Sequence, residues 1–145
     1  MNRVVIGADH AGFEMKEHLK RFLKNELGFE VLDVGCDEEK ECDYPVFAKK
    51  AAQKVLTEGI PGILVCGTGI GMSIAANKIK GIRCAVCLSE KLAKLARQHN
   101  NANMLALGGR TMAKFPAQKV AQSFLQNEFS NEDRHVRRIS QLEEE

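Results

Sequence analysis

Short apolar runs alternate along the chain with longer segments whose apolar residues recur every three or four positions. VVIGA (4–8), FEVLDVG (29–35), GILVCG (62–67), IRCAVCL (82–88) and NMLALGG (103–109) have the length and character of strands. Between the first two, Met15, Leu19, Phe22, Leu23 and Leu27 share one face of a helix, with Gly28 as its expected C-cap. Phe47, Ala48, Ala51, Ala52, Val55 and Leu56 mark a second helix that starts at Tyr44-Pro45, because proline suits a first helical turn. The spacing predicts further helices over 71–79, from a Ser89 N-cap to about 99, over about 112–127, and a charged one over about 131–143.

Five βα units joined by short loops predict an α/β protein. The expected arrangement is a three-layer α/β/α, Rossmann-like (flavodoxin-like) fold with a five-stranded parallel sheet and a C-terminal helix. GILVCG is the most apolar run and is therefore expected at the centre of the sheet. The 145 residues suit a single domain, 1–145, in which 131–145 is the terminal helix, and the acidic end Glu143 to Glu145 reads as solvated. Ligands of such sheets bind beyond the carboxyl ends of the strands. That directs attention to Asp9-His10, the 36–44 loop, Cys66 to Gly71, Ser89-Glu90 and Gly108 to Arg110.

Composition removes several function classes. A net charge of +2, one tyrosine and no tryptophan supply neither the basic footprint nor the stacking platform of a nucleic-acid binder. MNRVVIGADH carries an apolar run of three residues, too short for a signal peptide or a membrane span, so a cytoplasmic location and no membrane partner are expected. Five cysteines, an odd number, fit free thiols in a reducing compartment.

The run CGTGIGMSIAANK follows the central strand and places glycines at 67, 69 and 71. It matches neither a dinucleotide fingerprint nor a Walker loop. So bare a backbone at a helix start can cradle an anion with successive N–H groups, while a tight turn is its plainer use. Cys66 stands just before that helix, where the macrodipole favours a thiolate; a small buried hydrophobe is the competing role, and position alone leaves both open. Cys84 and Cys87 are three apart on a strand and should face opposite ways, which argues against a shared metal or disulfide; Cys36 and Cys42 receive no role. His10 lies at the ligand face, His18 reads as exposed among charges, His99 ends the fourth helix and His135 sits in the tail. None has metal-ligand spacing, so neither metal nor cofactor is expected. Arg134 and Arg138, four apart, share a helix face and could clamp a phosphate or simply form a solvated basic face. Arg110, after the fifth strand, is better placed for a ligand.

GADHAGFEMK near the start, DYP at 43–45, CGTGIGMSIAANK, RQHNNAN at 97–103, GGR at 108–110 and the RHVRR tail occur in order. In combination, from about residue 3 to 139, they resemble ribose-5-phosphate isomerase type B, whose relatives include the allose- and galactose-6-phosphate isomerases. The resemblance implies a metal-independent aldose–ketose isomerase that opens a furanose ring and then moves a proton between carbons 2 and 1 through a cis-enediolate. By that resemblance Cys66 is the general base, assisted by Thr68, and the amides of Gly67, Gly69, Ile70 and Gly71 hold the enediolate oxygen. His99 serves ring opening with Asp9 nearby, and Tyr44 and Asn100 line the sugar pocket. His10, Arg110, Arg134 and Arg138 match the phosphate binders. One branch of the family places a glutamate base at the position of Met72; methionine cannot take a proton, which leaves that task to Cys66. Asp133 stands where relatives commonly have glycine and puts an anion beside Arg134. The resemblance further implies a homodimer, or a tetramer built from dimers, with the site at the subunit interface and the C-terminal helix reaching over its partner. Two other functions stay open: isomerisation of a six-carbon sugar phosphate, and a non-catalytic module that binds a phosphorylated metabolite.

Overall fold

The computed structural model describes residues 2–38 and 40–144. The elements run β1 (Arg3–Ala8), a short 3-10 turn (His10–Gly12), α1 (Phe13–Asn25), β2 (Glu30–Asp33), α2 (Tyr44–Glu58), β3 (Gly62–Cys66), α3 (Ile70–Asn77), β4 (Cys84–Val86), α4 (Glu90–Asn100), β5 (Met104–Gly108), α5 (Lys114–Gln126) and α6 (Asp133–Leu142). All strand pairs are parallel, in the order β2-β1-β3-β5-β4. As its composition predicts, β3 is central; β5 lies beside it, and both are buried along their whole length. The edge strands β2 and β4 are shorter than the apolar runs that encode them, because each has one neighbour and its ladder stops at Ile6↔Asp33 and Val86↔Ala106.

Alternation along the strands feeds two cores. Val4, Ile6, Ile63, Val65, Leu105 and Leu107 point to the layer covered by α1, α4 and α5. Val5, Leu64, Cys66 and Met104 point to the opposite layer, where α2 and α3 present mostly alanines and so sit close to the sheet. The helices α3 and α1 thus leave neighbouring strands β3 and β1 toward opposite faces, which creates a crevice at the carboxyl ends between those two strands.

Local signals hold at several helix ends. Oγ of Ser89 accepts the Leu92 N–H at 3.2 Å, and Pro45 occupies the first turn of α2. Three expectations need correction. Gly28 is not the cap of α1, which ends at Asn25; with φ of +72° it turns the chain into β2 instead. His18 is half-buried, its Nε2 paired with Oε1 of Gln118 on α5. Glu143 is not simply solvated, because it accepts from Nη1 of Arg83 at 2.7 Å; Glu145 lies outside the described residues.

Candidate active site

Three loops meet at the carboxyl ends of β1, β3 and β5. Asp9, buried just beyond β1, gives its N–H to the Val65 carbonyl (3.2 Å) and accepts the Gly12 N–H on Oδ1 (3.0 Å). It thereby closes the 3-10 turn that begins at His10. Gly12 is pressed so closely on β3 that a Cβ would sit 2.2 Å from the Val65 oxygen. The β5 loop is tied to the β3 loop by Gly109 N–H to Cys66 O (2.7 Å) and Arg110 N–H to Gly67 O (2.9 Å). His10 and Arg110, adjacent to neither in sequence, consequently line one cavity of about 420 Å³, which Glu14 and Lys114 also border. Nδ1 of His10 accepts the Cys42 N–H at 3.3 Å, so the 36–44 loop is anchored to the same place.

The glycine loop proves to be both turn and platform. Gly69 has φ of +84°, and a Cβ there would lie 3.1 Å from the Leu107 backbone, so this position demands glycine for conformation. Gly71 serves an approach: a Cβ would fall 2.8 Å from the Tyr44 ring, which packs over the start of α3. Gly67 has ordinary room, 3.6 Å to Cδ of Arg110. The Gly69 N–H donates to Sγ of Cys66 at 3.1 Å, and the Ile70 N–H donates to Oγ1 of Thr68 at 3.2 Å. Two of the amides expected to cradle an oxyanion are therefore already aimed at the thiol and hydroxyl beside them. Met72 is wholly buried in the α2–α3 core and faces no cleft. Cys84 and Cys87 point to opposite layers, as their spacing predicts, and burial pushes their thiols up to about 12 and about 11.

The remaining candidates lie at the other end of the sheet. A helix that links parallel strands runs antiparallel to them, so α4 delivers His99 and Asn100 to the amino ends. There the Asn100 carbonyl accepts from Nε of Arg83, which directly precedes β4. Packed against α4 is α6, with the His135 and His99 rings 4.4 Å apart and inclined by 34°. His135 is buried and shares a 2.9 Å hydrogen bond with Oγ of Ser130; burial, His99 and Arg134 push its pKa down against the pull of Glu132. Arg134 and Arg138 project from the exposed face of α6, and the anion that engages Arg134 is Glu132, at 3.2 Å, rather than Asp133. His135 was not among the residues the sequence singled out. Its signal was Ile139 four positions on, which marks the packed face of an otherwise charged helix.

Within one chain, then, Asp9, His10, Tyr44, Cys66, Thr68, the glycine loop and Arg110 come together, and His99, Asn100, Arg134 and Arg138 do not join them. The five residues of β3 separate the two groups by about 16 Å. Among the described residues no three His, Cys, Asp or Glu side chains converge as a metal would require, and no helix is long and apolar enough to cross a membrane.

Comparison with known proteins covers nearly the whole chain. A family model described as Ribose/Galactose Isomerase matches residues 4–142. A ribose 5-phosphate isomerase structure from Thermotoga maritima superposes with a TM-score of 0.94 at 46% identity, covering 98% of this chain and 97% of that one. The type B ribose 5-phosphate isomerase of Trypanosoma brucei gives a TM-score of 0.94 at 42% identity, with 99% and 97% covered. Ribose-5-phosphate isomerase B of Mycobacterium tuberculosis is 41% identical over 144 residues, 98% of this chain and 88% of that protein. With nearly its whole length matched and its crevice built from the residues described above, the chain belongs to the ribose/galactose isomerase family.

Proposed function

We propose that this protein interconverts ribose 5-phosphate and ribulose 5-phosphate, with Cys66 as the base that carries the proton between carbons 2 and 1. The observation that carries the reading is the thiol itself: Sγ of Cys66 stands at the carboxyl end of the central strand, held by the Gly69 N–H at 3.1 Å, in a chain of this family. Met72, the other position at which the family can hold a base, is an inert and buried methionine.

The chemistry follows from the geometry. Removal of a carbon-bound proton leaves an enediolate whose charge was absent in the substrate. The N–H groups of Gly67 and Gly71, which are not aimed at Cys66 or Thr68, stabilise that charge selectively, each worth about 3 kcal/mol. Thr68, beside the thiol, offers a hydroxyl that relays or steadies the moving proton, and Asp9 is fixed by its turn close to the sugar ring oxygens. Tyr44 closes the crevice over Gly71 and orients the open chain. His10 and Arg110 take the phosphate in their shared cavity, an interaction equal in ground and transition states that positions the reacting end.

By the family resemblance ring opening belongs to His99, which lies at the far end of the sheet from this cluster. The reading therefore includes a second copy of the chain, which brings its own His99 and Asn100 to the first copy's Cys66 and lays its α6, with Arg134 and Arg138, over the phosphate. Ile70 and Ile74 support this: both are 56% exposed and form an apolar stripe on α3 beside the site, a surface that association would cover.

The test is turnover of ribose 5-phosphate by the purified protein, in the presence of chelator and in deuterated water, for wild type and Cys66→Ala. Wild type should incorporate solvent deuterium into product. C66A should lose about 10²- to 10⁴-fold in kcat while still binding the sugar phosphate. Full activity in C66A, or faster turnover of allose 6-phosphate than of ribose 5-phosphate, would overturn the base assignment or the substrate respectively.

A further inference from the structure

Two cysteines outside the proposed chemistry, Cys36 and Cys42, bracket the loop between β2 and α2. Cys36 follows β2 and is buried, its N–H donating to the Ala8 carbonyl at 2.7 Å and its thiol to the Glu38 carbonyl at 3.3 Å. Cys42, at the other end of the loop and half-buried, gives its N–H to Nδ1 of His10. Both ends of the 36–42 stretch are thus tethered to residues only two apart, Ala8 and His10, which brings the two cysteines close together, near enough for Cys42 to act on the Cys36 thiol. All five cysteines are free, and this pair is unlike Cys84 and Cys87, which the sheet holds on opposite faces.

We propose that Cys36 and Cys42 form a modification site at which a hydroperoxide oxidises the two thiols to an intramolecular disulfide. In the first step the sulfur of Cys42, the more exposed of the two, attacks the peroxide; the O–O bond breaks, water leaves, and Cys42 becomes a sulfenic acid. In the second, the Cys36 sulfur displaces the sulfenic oxygen as a second water, and an S–S bond replaces two S–H bonds. Two electrons pass from the sulfurs to one peroxide, so two thiols and one hydrogen peroxide yield one disulfide and two waters. Burial first and the adjacent Cys42 next push the Cys36 thiol up to about 11, which suits it to resolve the sulfenic acid rather than to meet the oxidant.

The consequence, unlike the modification, rests on the isomerase reading. An S–S bond is about 2 Å long, shorter than any contact between thiols, so bridging draws Cys42 inward toward the buried Cys36. That pulls its N–H away from His10 and loosens a group at the phosphate end. KM for ribose 5-phosphate should rise roughly 3- to 10-fold with kcat little changed, because phosphate contacts bind ground and transition states alike.

The experiment treats the full chain with equimolar hydrogen peroxide, blocks remaining thiols with iodoacetamide without reduction, and maps tryptic peptides. Cleavage after Lys24, Lys40 and Lys49 separates the two cysteines, so a bridge appears as peptide 25–40 joined to 41–49 and disappears on reduction with dithiothreitol. That linked species should dominate the oxidised products in wild type and be absent in Cys42→Ser. Alkylated Cys36 and Cys42 with oxygen added at Cys66 would overturn the proposal, as would Cys42 over-oxidised beside a free Cys36. The map reads the bond whether or not the chain turns over a sugar, so failure of the isomerase reading leaves it intact. A bridge that leaves KM unmoved overturns the coupling to His10.

Discussion

If Cys66 and His99 act on the same sugar, they cannot come from one chain, and mixing two damaged chains should restore what neither has alone. Cys66 lies at the carboxyl end of β3 and His99 at the amino end of the sheet, about 16 Å apart across its five residues, well beyond hydrogen-bonding reach. Consider a Cys66→Ala chain and a His99→Asn chain, each reduced about 10²-fold or more by itself. Random reassortment of an isologous dimer makes about half of all dimers mixed. In a mixed dimer one site combines an intact Cys66 with an intact His99 from the partner, and the other site collects both lesions. Active sites then amount to about a quarter of the wild-type number. The assay is direct detection of ribulose 5-phosphate by NMR, after the two tagged variants have been co-expressed and the mixed dimer isolated through both tags. The isolated mixed species should reach about half of wild-type kcat with an unchanged KM. A mixed dimer no more active than its parents would show that each chain builds its own site, and would refute the division of residues between copies.

Other consequences can be measured separately. Burial raises Asp33, but hydrogen bonds from Lys16, Lys20 and the Gly35 N–H outweigh it and hold the carboxyl below its ordinary value. Its contribution to stability is therefore full above the unfolded pKa of about 3.9 and is lost as pH falls through the lower folded value. Asp33→Asn leaves the fully buried Lys16 with Glu17 at 3.2 Å and should cost about 3 kcal/mol at pH 7, while flattening the acid limb of a plot of urea midpoint against pH. Gly12→Ala forces a methyl to within 2.2 Å of the Val65 oxygen; calorimetry should find about 3 kcal/mol of destabilisation, a fall in Tm of roughly 6–12 °C. Gly71→Ala meets the edge of a movable side chain instead, the Tyr44 ring at 2.8 Å, so Tm should hold while the KM for sugar phosphate rises about 10-fold.

Much of this protein was legible before any coordinates. Alternation of apolar runs with helical stripes announces five βα units, because strand and helix periods differ and a buried parallel sheet must be apolar on both faces. The apolarity of GILVCG put it at the centre of the sheet, and the three-residue spacing of Cys84 and Cys87 put them on opposite sides. Short motifs in order were enough to point to the family, since a family's chemistry is written in side chains. Their partners were not legible. Nothing near Cys42 in the chain announces that its N–H rests on His10, 32 positions away, or that Tyr44 packs on Gly71. Edge strands stop early because a ladder needs a neighbour, and which strand has one is a property of the sheet's order. The assignment of His99 and Cys66 to opposite ends follows from the return direction of α4, a constraint of three-dimensional winding that no local pattern carries. Local periodicity thus dictated the elements and their faces, whereas contacts between distant segments, which depend on how the whole sheet is ordered, decided which candidate residues one chain brings together.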